Sequence, residues 1–453
     1  MRQRRLGALA LLAWIVHGQA ASAPGDEVAA RAHTYLQARA DAGTFSGTVL
    51  LAQGSRTLFV RGYGFASEKS GRRNDVTTRF ATASITKTFT AALIMKLRAE
   101  GRLALQDSIC RHLAPCPAHW QSVTLHHLLT HTAGVPDYAR TADFPRRMHE
   151  SRSTKDLLAE FRERPLEFTP GARYSYSNSN YVLLGAALEK AGGKPYGELL
   201  RERIFSPLGM RDSGLDGGKR ADLATGHKPH GVRNVEAEFV DPTWLYSAGA
   251  IYSTVGDLAK WTRALQTGEL LPRADVALMW SAEHGKYGYG WQLLGPSAQT
   301  LNRRLVFHAG GTTGFATDLL FYPDDDVTVV LLANLLPVPL ADISRDLSAI
   351  VFGENPAAPV VKRAVQIDAS VYDEYVGVYQ LAPNVTITIS KDGDQLAVQA
   401  TGQPRDIAIP ESPTTFYSRL SPIRLSFVRD EAGRVSRLVL HELSRDISAP
   451  RKR

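Results

Sequence analysis

"FATASITKTFTAALIMKLRAEG", Phe80 to Gly101, places a serine three residues ahead of a lysine at the head of an apolar, helix-patterned run. That spacing puts Ser84 and Lys87 on one helix face. A serine hydroxyl is a weak nucleophile until a neighbouring base takes its proton, and a lysine deprived of its charge by burial can be that base. The helix start adds free backbone N–H groups and the positive end of the dipole, both of which favour a developing oxyanion. Spacing alone is not specific, since about one such match is expected by chance. The alternative is a serine near a helix cap with a solvated lysine behind it.

Two distant segments supply company for this pair. "PGARYSYSNSNYVLLGAALEKAGG" holds Tyr176-Ser177-Asn178 just before an apolar helix. A tyrosine there can exchange a proton with Ser84 or with a leaving group, or it can simply be a packed core aromatic. In "RLVFHAGGTTGFATDLLFYP", His308-Ala309-Gly310 ends a strand and runs into glycines, as expected where backbone approaches a ligand. The N–H of Gly311 is expected to face that of Ser84, giving two donors around one acyl oxygen.

Around these motifs the pattern predicts an α+β fold. "FSGTVLLAQGSRTLFVRGYG" alternates and turns at Gln53 to Arg56, and "DLLFYPDDDVTVVLLANLL" turns at Asp324 to Asp326, so both read as antiparallel hairpins. Helical patterns fill the interval at Ile85 to Glu100, His126 to Thr130, Leu157 to Arg162, Asn180 to Ala191 and Gly256 to Leu265. Strands from both ends of the segment thus flank a helical middle. This predicts an antiparallel sheet flanked by helices, with a helical insert and a last helix from about Leu340 to Phe352 over one face. "GENPAAPVVKR" marks a linker, placed at 353–365. Beyond it, from 366 to 447, come "NVTITIS", "DQLAVQA", "TTFYSR", "IRLSFVR" and "RLVLHE", which predict a small all-β C-terminal barrel or sandwich.

Composition narrows the function classes. The first five residues carry three arginines, followed by an apolar run from Leu6 to Val16 and then the small residues of "GQAASA". This predicts a secretory signal over residues 1–23, with an uncleaved anchor as the alternative; the run is too short to span a bilayer. The protein is accordingly expected to be periplasmic or secreted, with no transmembrane span beyond the signal. Without those three arginines the formal charge falls from +8 to +5, and the remainder is scattered, which argues against a nucleic-acid partner. In an oxidising compartment Cys110 and Cys116 are expected to form a small-loop disulfide; two free thiols would suit a cytosolic chain.

Ser84-Ile85-Thr86-Lys87, Tyr176-Ser177-Asn178 and His308-Ala309-Gly310, in that order, resemble the three signature elements of the penicillin-recognising serine hydrolases. The nearest branch is similar to class C β-lactamases, D-alanyl-D-alanine carboxypeptidases, D-aminopeptidases and β-lactamase-fold esterases. "HHLLTHTAGVPDY", "SAGAIYSTVGDLAKW" and "YGYGWQLL" carry the same likeness, over about residues 27–352. The tail, with "YVGVYQLAP" and "PESPTTFY", resembles a lipocalin-like domain appended to such hydrolases.

The resemblance implies that Ser84 forms an acyl-enzyme, that Lys87 and Tyr176 share the acid and base work, and that Asn178 holds substrate or Lys87. His308, Gly310 and Gly311 fall on the substrate side of the site. The implied substrate is a small molecule or peptide, a peptidoglycan fragment among the candidates, with no cofactor and no metal. One departure matters: many members carry Lys-Thr-Gly as the third element, whose lysine orients a substrate carboxylate, whereas His308 offers no full charge near pH 7. Peptidase or esterase action is therefore favoured over strong β-lactamase activity. The rival from another class is a non-catalytic binding protein for cell-wall peptides or penicillin on the same fold.

Other groupings carry less. His127 and His131 are four apart and His126 adjoins them, which raises a metal, but there is no His-Glu-x-x-His and packing with helix-end hydrogen bonding is the favoured reading. Asp324 to Asp326 read as a solvated turn rather than a calcium site. No Gly-x-Ser-x-Gly elbow is present. Tyr246, Tyr287, Tyr289 and Trp291 line the cleft or fill core. Loops Thr141 to Lys155 and Gly226 to Asp241 are expected to shape the pocket.

Overall fold

The computed structural model describes residues 24–218, 222–282, 285–359, 362, 364–421, 423–442 and 445–452. The signal expected over 1–23 lies outside the described residues, as do three positions of the linker expected at 353–365. Helix α1 (Pro24–Asp41) leads into the hairpin of β1 (Gly47–Gln53) and β2 (Arg56–Tyr63). The interval is occupied by α2 (Thr86–Ala99), α3 (Leu125–Leu129) and α4 (Asn178–Gly192), by a two-stranded hairpin of β3 (His227–His230) and β4 (Arg233–Glu236), and by α5 (Val255–Thr267). Then follow β5 (Gln292–Leu294), β6 (Leu305–Thr312), β7 (Phe315–Tyr322), β8 (Val327–Ala333) and α6 (Leu340–Val351).

The expected sheet forms from the two ends of this segment, in the order β5-β6-β7-β8-β1-β2 and antiparallel throughout. Its sequence pattern follows position. Central β8, "VTVVLLA", is buried at every residue because both faces are covered, whereas edge strand β2 is buried only at Phe59 and Tyr63. One face packs on the helical insert, with Phe89 of α2 stacked on Trp261 of α5 at 4.2 Å between ring centroids. The other face is covered by α1 and α6, tied together where Tyr35 donates to Asp346 at 2.6 Å.

Helix α2 is buried from Thr86 through Met95, which explains why its apolar residues surround it rather than form a stripe. Helix ends are set by local chemistry. Thr124 and His127 form a capping box on α3, Thr254 caps α5, and Gly193 closes α4 at a φ of 69°. Cys110 and Cys116 are joined as a disulfide, with 5.2 Å between Cα atoms.

The tail is a nearly closed barrel of eight sequential antiparallel strands, β9 (Gly377–Ala382), β10 (Val385–Asp392), β11 (Gln395–Ala400), β12 (Asp406–Pro410), β13 (Thr415–Tyr417), β14 (Arg424–Arg429), β15 (Val435–Glu442) and β16 (Arg445–Pro450). Lys452 N–H donates to Val378 at 2.8 Å where the last strand returns to the first. Tyr375, Tyr379, Phe416 and Phe427 fill its interior. Five of these strands were expected; β9, β12 and β16 were not among them. The barrel meets the rest of the chain at the β3–β4 hairpin, where Arg419 donates to the carbonyls of Gly231 and Arg233 at 3.2 and 3.1 Å.

Candidate active site

Ser84 occupies a short 3-10 turn, Ala83–Ile85, that feeds α2, and it is partly exposed while its two neighbours are buried. Ala83 holds a φ of 47°, a left-handed conformation that costs a residue bearing a Cβ about 1 kcal/mol or more and is kept only where packing over-determines it. One turn on, Lys87 has no exposed surface. Its Nζ lies 3.0 Å from Ser84 Oγ, 2.9 Å from Asn178 Oδ1 and 2.8 Å from the Ala248 carbonyl. Burial drives its pKa down to about 7, with the Asp137 charge pulling the other way.

Tyr176 donates its phenol proton to Ser84 Oγ at 3.0 Å. Burial raises its pKa, only partly offset by that hydrogen bond, so the phenol stays protonated at neutral pH. Asn178 opens α4 and spans two partners, accepting from Lys87 and donating to the Asp137 carboxylate at 3.2 Å. Asp137 is itself fixed by the Ala139 N–H at 3.1 Å.

The third segment contributes backbone. A Cβ on Gly310 would sit 2.3 Å from Thr317 Oγ1, 2.5 Å from the Thr82 carbonyl and 3.1 Å from the Ser84 nitrogen, so only glycine lets β6 come this close to the serine turn. Gly311 lines the cleft with Ser84. His308 is placed otherwise. It is buried behind the cleft wall, where Nδ1–H donates to the Ala309 carbonyl at 2.7 Å and Nε2 accepts from Tyr287 O–H at 2.9 Å. Burial, with the Lys87 charge adding to it, lowers its pKa to about 3, which fixes it as a neutral imidazole.

His131, like Asp137, has a place at the site that the sequence pattern did not assign to it. It is fully buried at a φ of 57°, and its ring centroid lies 4.3 Å from that of Tyr176. Its Nδ1 accepts from the Ser177 N–H and from Asn180 Nδ2, both at 3.2 Å, which ties the turn before α4 to the end of α3. The three histidines of "HHLLTHTAGV" part company: His126 bonds Tyr289 at 2.8 Å, His127 Nδ1 accepts from the Thr124 N–H at 3.2 Å, and His131 faces the site.

Ser84 opens onto a cleft of about 320 Å³ walled by Tyr138, Phe144, Val240 and Leu245, with Thr312 and Thr313 opposite. A second chamber of about 260 Å³ adjoins it, sharing Val240, Leu245, Thr312 and Thr313, and is lined by Glu236 to Val240 and Phe315. Both expected loops thus contribute wall, Phe144 from one and Glu236 to Val240 from the other. Tyr246, Tyr287, Tyr289 and Trp291 fill core instead, each 9% exposed or less. In the acidic turn Asp324, Asp325 and Asp326 pair with Arg304, Arg303 and Arg263. Among the described residues no helix is long and apolar enough to cross a membrane.

A nucleophile, a buried amine and a phenol within hydrogen-bond reach, facing a cleft, form a constellation suited to acyl transfer. Comparison with known proteins points the same way. The β-lactamase family model matches residues 32–350, and a domain of unknown function (DUF3471) matches 361–450; the matched tail family is not one named as lipocalin. Penicillin-binding protein 4* of Bacillus subtilis is 29% identical over 425 residues, 88% of this chain and 93% of that protein. The crystal structure of a penicillin-binding protein from Bacillus halodurans superposes with a TM-score of 0.61 at 30% identity, over 70% of this chain and 98% of that one. A D-stereospecific amidohydrolase from Streptomyces sp. superposes with a TM-score of 0.59 at 25% identity, over 72% and 98%.

Proposed function

The chain belongs to the β-lactamase family, and on that premise we propose that it is an exported serine hydrolase that cleaves an ester or amide through an acyl-enzyme on Ser84. Lys87 is the base of acylation. The single observation that carries this is the pair of carbonyl acceptors on its nitrogen. Asn178 Oδ1 and the Ala248 carbonyl take two N–H bonds, so the remaining direction, toward Ser84 Oγ, holds the lone pair whenever the amine is neutral. With a pKa near 7 that state is well populated at neutral pH.

In acylation Lys87 takes the Ser84 proton as Oγ bonds to the carbonyl carbon, and Ser84 and Gly311 N–H groups receive the oxyanion. Tyr176 gives its proton to the leaving heteroatom as that bond breaks, and the phenolate is formed beside the new ammonium, 5.0 Å from the ring centroid to Nζ. A water then attacks the acyl carbon and loses its proton to Tyr176, while Lys87 returns its proton to Ser84 as the acid departs. Every proton is restored.

The described lining favours a substrate without a carboxylate, the nearby Arg140 being engaged by the Tyr176 carbonyl at 3.3 Å. Among the described residues lining the two chambers there is no lysine or arginine, and the charged ones are Asp216, Glu236 and Glu238. His308 is neutral and already engaged by Tyr287. Uncharged or amine-bearing acyl compounds fit this lining; a peptidoglycan fragment fits where its reacting end is not a free acid. The apolar walls are those of a small-molecule pocket.

Covalent labelling by a fluorescent fluorophosphonate, with Ser84→Ala as control, tests the reading, followed by turnover of nitrophenyl esters, D-amino-acid amides, D-alanyl dipeptides and nitrocefin. Labelling lost in the variant, with esters or amides turned over ahead of the two carboxylate substrates, is expected. A wild-type protein that neither labels nor turns over any of the four leaves the binding-protein reading in place.

A further inference from the structure

No described residue beyond Phe352 lines either chamber, so the barrel does not touch substrate there. Its reach into the site is indirect. Arg419, in the turn after β13, donates through Nη1 to the carbonyls of Gly231 and Arg233 at 3.2 and 3.1 Å. Through Nη2 it donates to Asn234 Oδ1 at 2.8 Å and to the Gly43 carbonyl. All four terminal N–H bonds of one planar guanidinium are thereby spent on fixing the β3–β4 turn against the segment between α1 and β1, a geometry that a lysine nitrogen cannot copy.

The turn is also pressed onto the barrel. Gly231 adopts a φ of 58°, and a Cβ there would lie 2.2 Å from Gln395 Oε1 and 3.1 Å from Ile407 Cγ2. The base of the hairpin is tied beside the main sheet, where the His227 N–H donates to the Asn334 carbonyl and the Leu336 N–H donates to the His227 carbonyl, both at 3.0 Å. Its tip depends on a second anchor: the hairpin is a two-stranded ribbon outside the main sheet, and Val232, Val235 and Phe239 on and just after it are 60%, 36% and 53% exposed, so apolar burial holds that end weakly. From β4 the chain runs directly into the cleft wall: Glu236 and Phe239 line the second chamber, and Val240 lines both it and the chamber of Ser84.

We propose that the C-terminal barrel sets the shape of the catalytic cleft through Arg419, which clamps the β3–β4 hairpin and so positions the wall at 236–240 for substrate binding. Arg419 is a positioning residue for affinity, not for the chemical step. The inference rests on the hydrolase reading above for its kinetic consequence, but not for its structural one.

The experiment uses the full-length protein and its Arg419→Ala, Arg419→Lys and Asn234→Ala variants. Amide hydrogen exchange is followed across 233–240, and KM and kcat are measured for nitrophenyl esters of increasing acyl length. Arg419→Ala is expected to speed exchange at 233–240 while α2 stays protected, and to raise KM about threefold or more with kcat little changed. Arg419→Lys is expected to recover only part of the loss. Unchanged exchange, or faster exchange with KM unmoved, overturns the clamp. Should Arg419→Ala not fold, Asn234→Ala, which keeps the cation and removes one acceptor, decides by the same two readings. If the wild type neither labels nor turns over any of the four substrate classes, the hydrolase reading fails, and the exchange comparison alone still decides the clamp.

Discussion

Asp137 is joined to Lys87 by one intervening side chain, the Asn178 amide, which donates to the carboxylate at 3.2 Å and accepts from the amine at 2.9 Å. The carboxylate holds the Lys87 pKa up while burial holds it down to about 7. Protonated Lys87 has no lone pair for Ser84, so kcat/KM is expected to rise with pH and to level off above about 7. Removing the Asp137 charge lowers that pKa further. Asp137→Asn should therefore shift the acid limb to lower pH, as read from the rate profile of ester cleavage between pH 5 and 9. A limb that stays in place in the variant excludes Lys87 as its source.

Tyr176→Phe keeps the ring that packs on His131 and removes the proton donated to Ser84. Turnover is expected to fall roughly 10²- to 10⁴-fold, the usual worth of a positioned acid or base. The deficit should be larger for amides than for nitrophenyl esters, whose leaving group departs without a proton. Equal losses on both substrates argue against proton delivery by this phenol.

Gly310→Ala places a carbon against backbone that cannot swing aside, the Thr82 carbonyl and the Ser84 nitrogen. The strand and the serine turn must separate. Such overpacking costs about 1–3 kcal/mol in stability. The sharper expectation is functional: the fluorophosphonate labelling rate should drop by well over tenfold while the melting temperature moves only a few degrees. Labelling at the wild-type rate means that β6 does not need its close approach.

Asp318 of β7 is buried against α6, with one carboxylate oxygen accepting from Ser344 at 2.7 Å and the other unpartnered. Burial raises its pKa from 3.8 to about 7. Between those values the folded protein binds more protons than the unfolded chain, so this group's contribution to stability declines as pH rises through that window. Asp318→Asn removes the charge and keeps the Ser344 acceptor. Its stability gain over wild type is expected to grow on going from pH 5 to pH 8, by on the order of a few kcal/mol. Urea denaturation at the two pH values measures it; a gain independent of pH refutes the assignment.

Local pattern made much of this molecule legible. The β1–β2 and β7–β8 hairpins follow from alternation around a turn, and the helices near Ile85, Asn180 and Gly256 from their apolar period. What stayed hidden is decided by contacts between distant segments. His131 and Asp137 serve the site from buried positions, and neither burial nor a φ of 57° at His131 is written in the local sequence. A signal was present, since both lie within "HHLLTHTAGVPDY", but that phrase gave resemblance without a role. His308 was expected to meet substrate; the identity of the residue gave no hint that its imidazole turns inward to Tyr287. Likewise Tyr289 and Trp291 belong to the core while Phe144 and Val240 reach the cleft, a sorting that depends on loop paths rather than on hydrophobicity.

Pairing of β1 with β8 joins Gly47 to Ala333 and Gln53 to Val327, so the middle of the sheet is made from the two ends of the hydrolase segment. A nascent polypeptide emerging N-terminus first holds β1 and β2 long before their neighbour exists. Until Val327 to Ala333 arrives, an apolar strand waits with an open edge, the hazard that invites association with other chains. Closing it requires contact across nearly three hundred residues, which makes assembly slow and nearly all-or-none late in synthesis. Any premature stop before Val327 should therefore yield an aggregating fragment rather than a smaller folded protein.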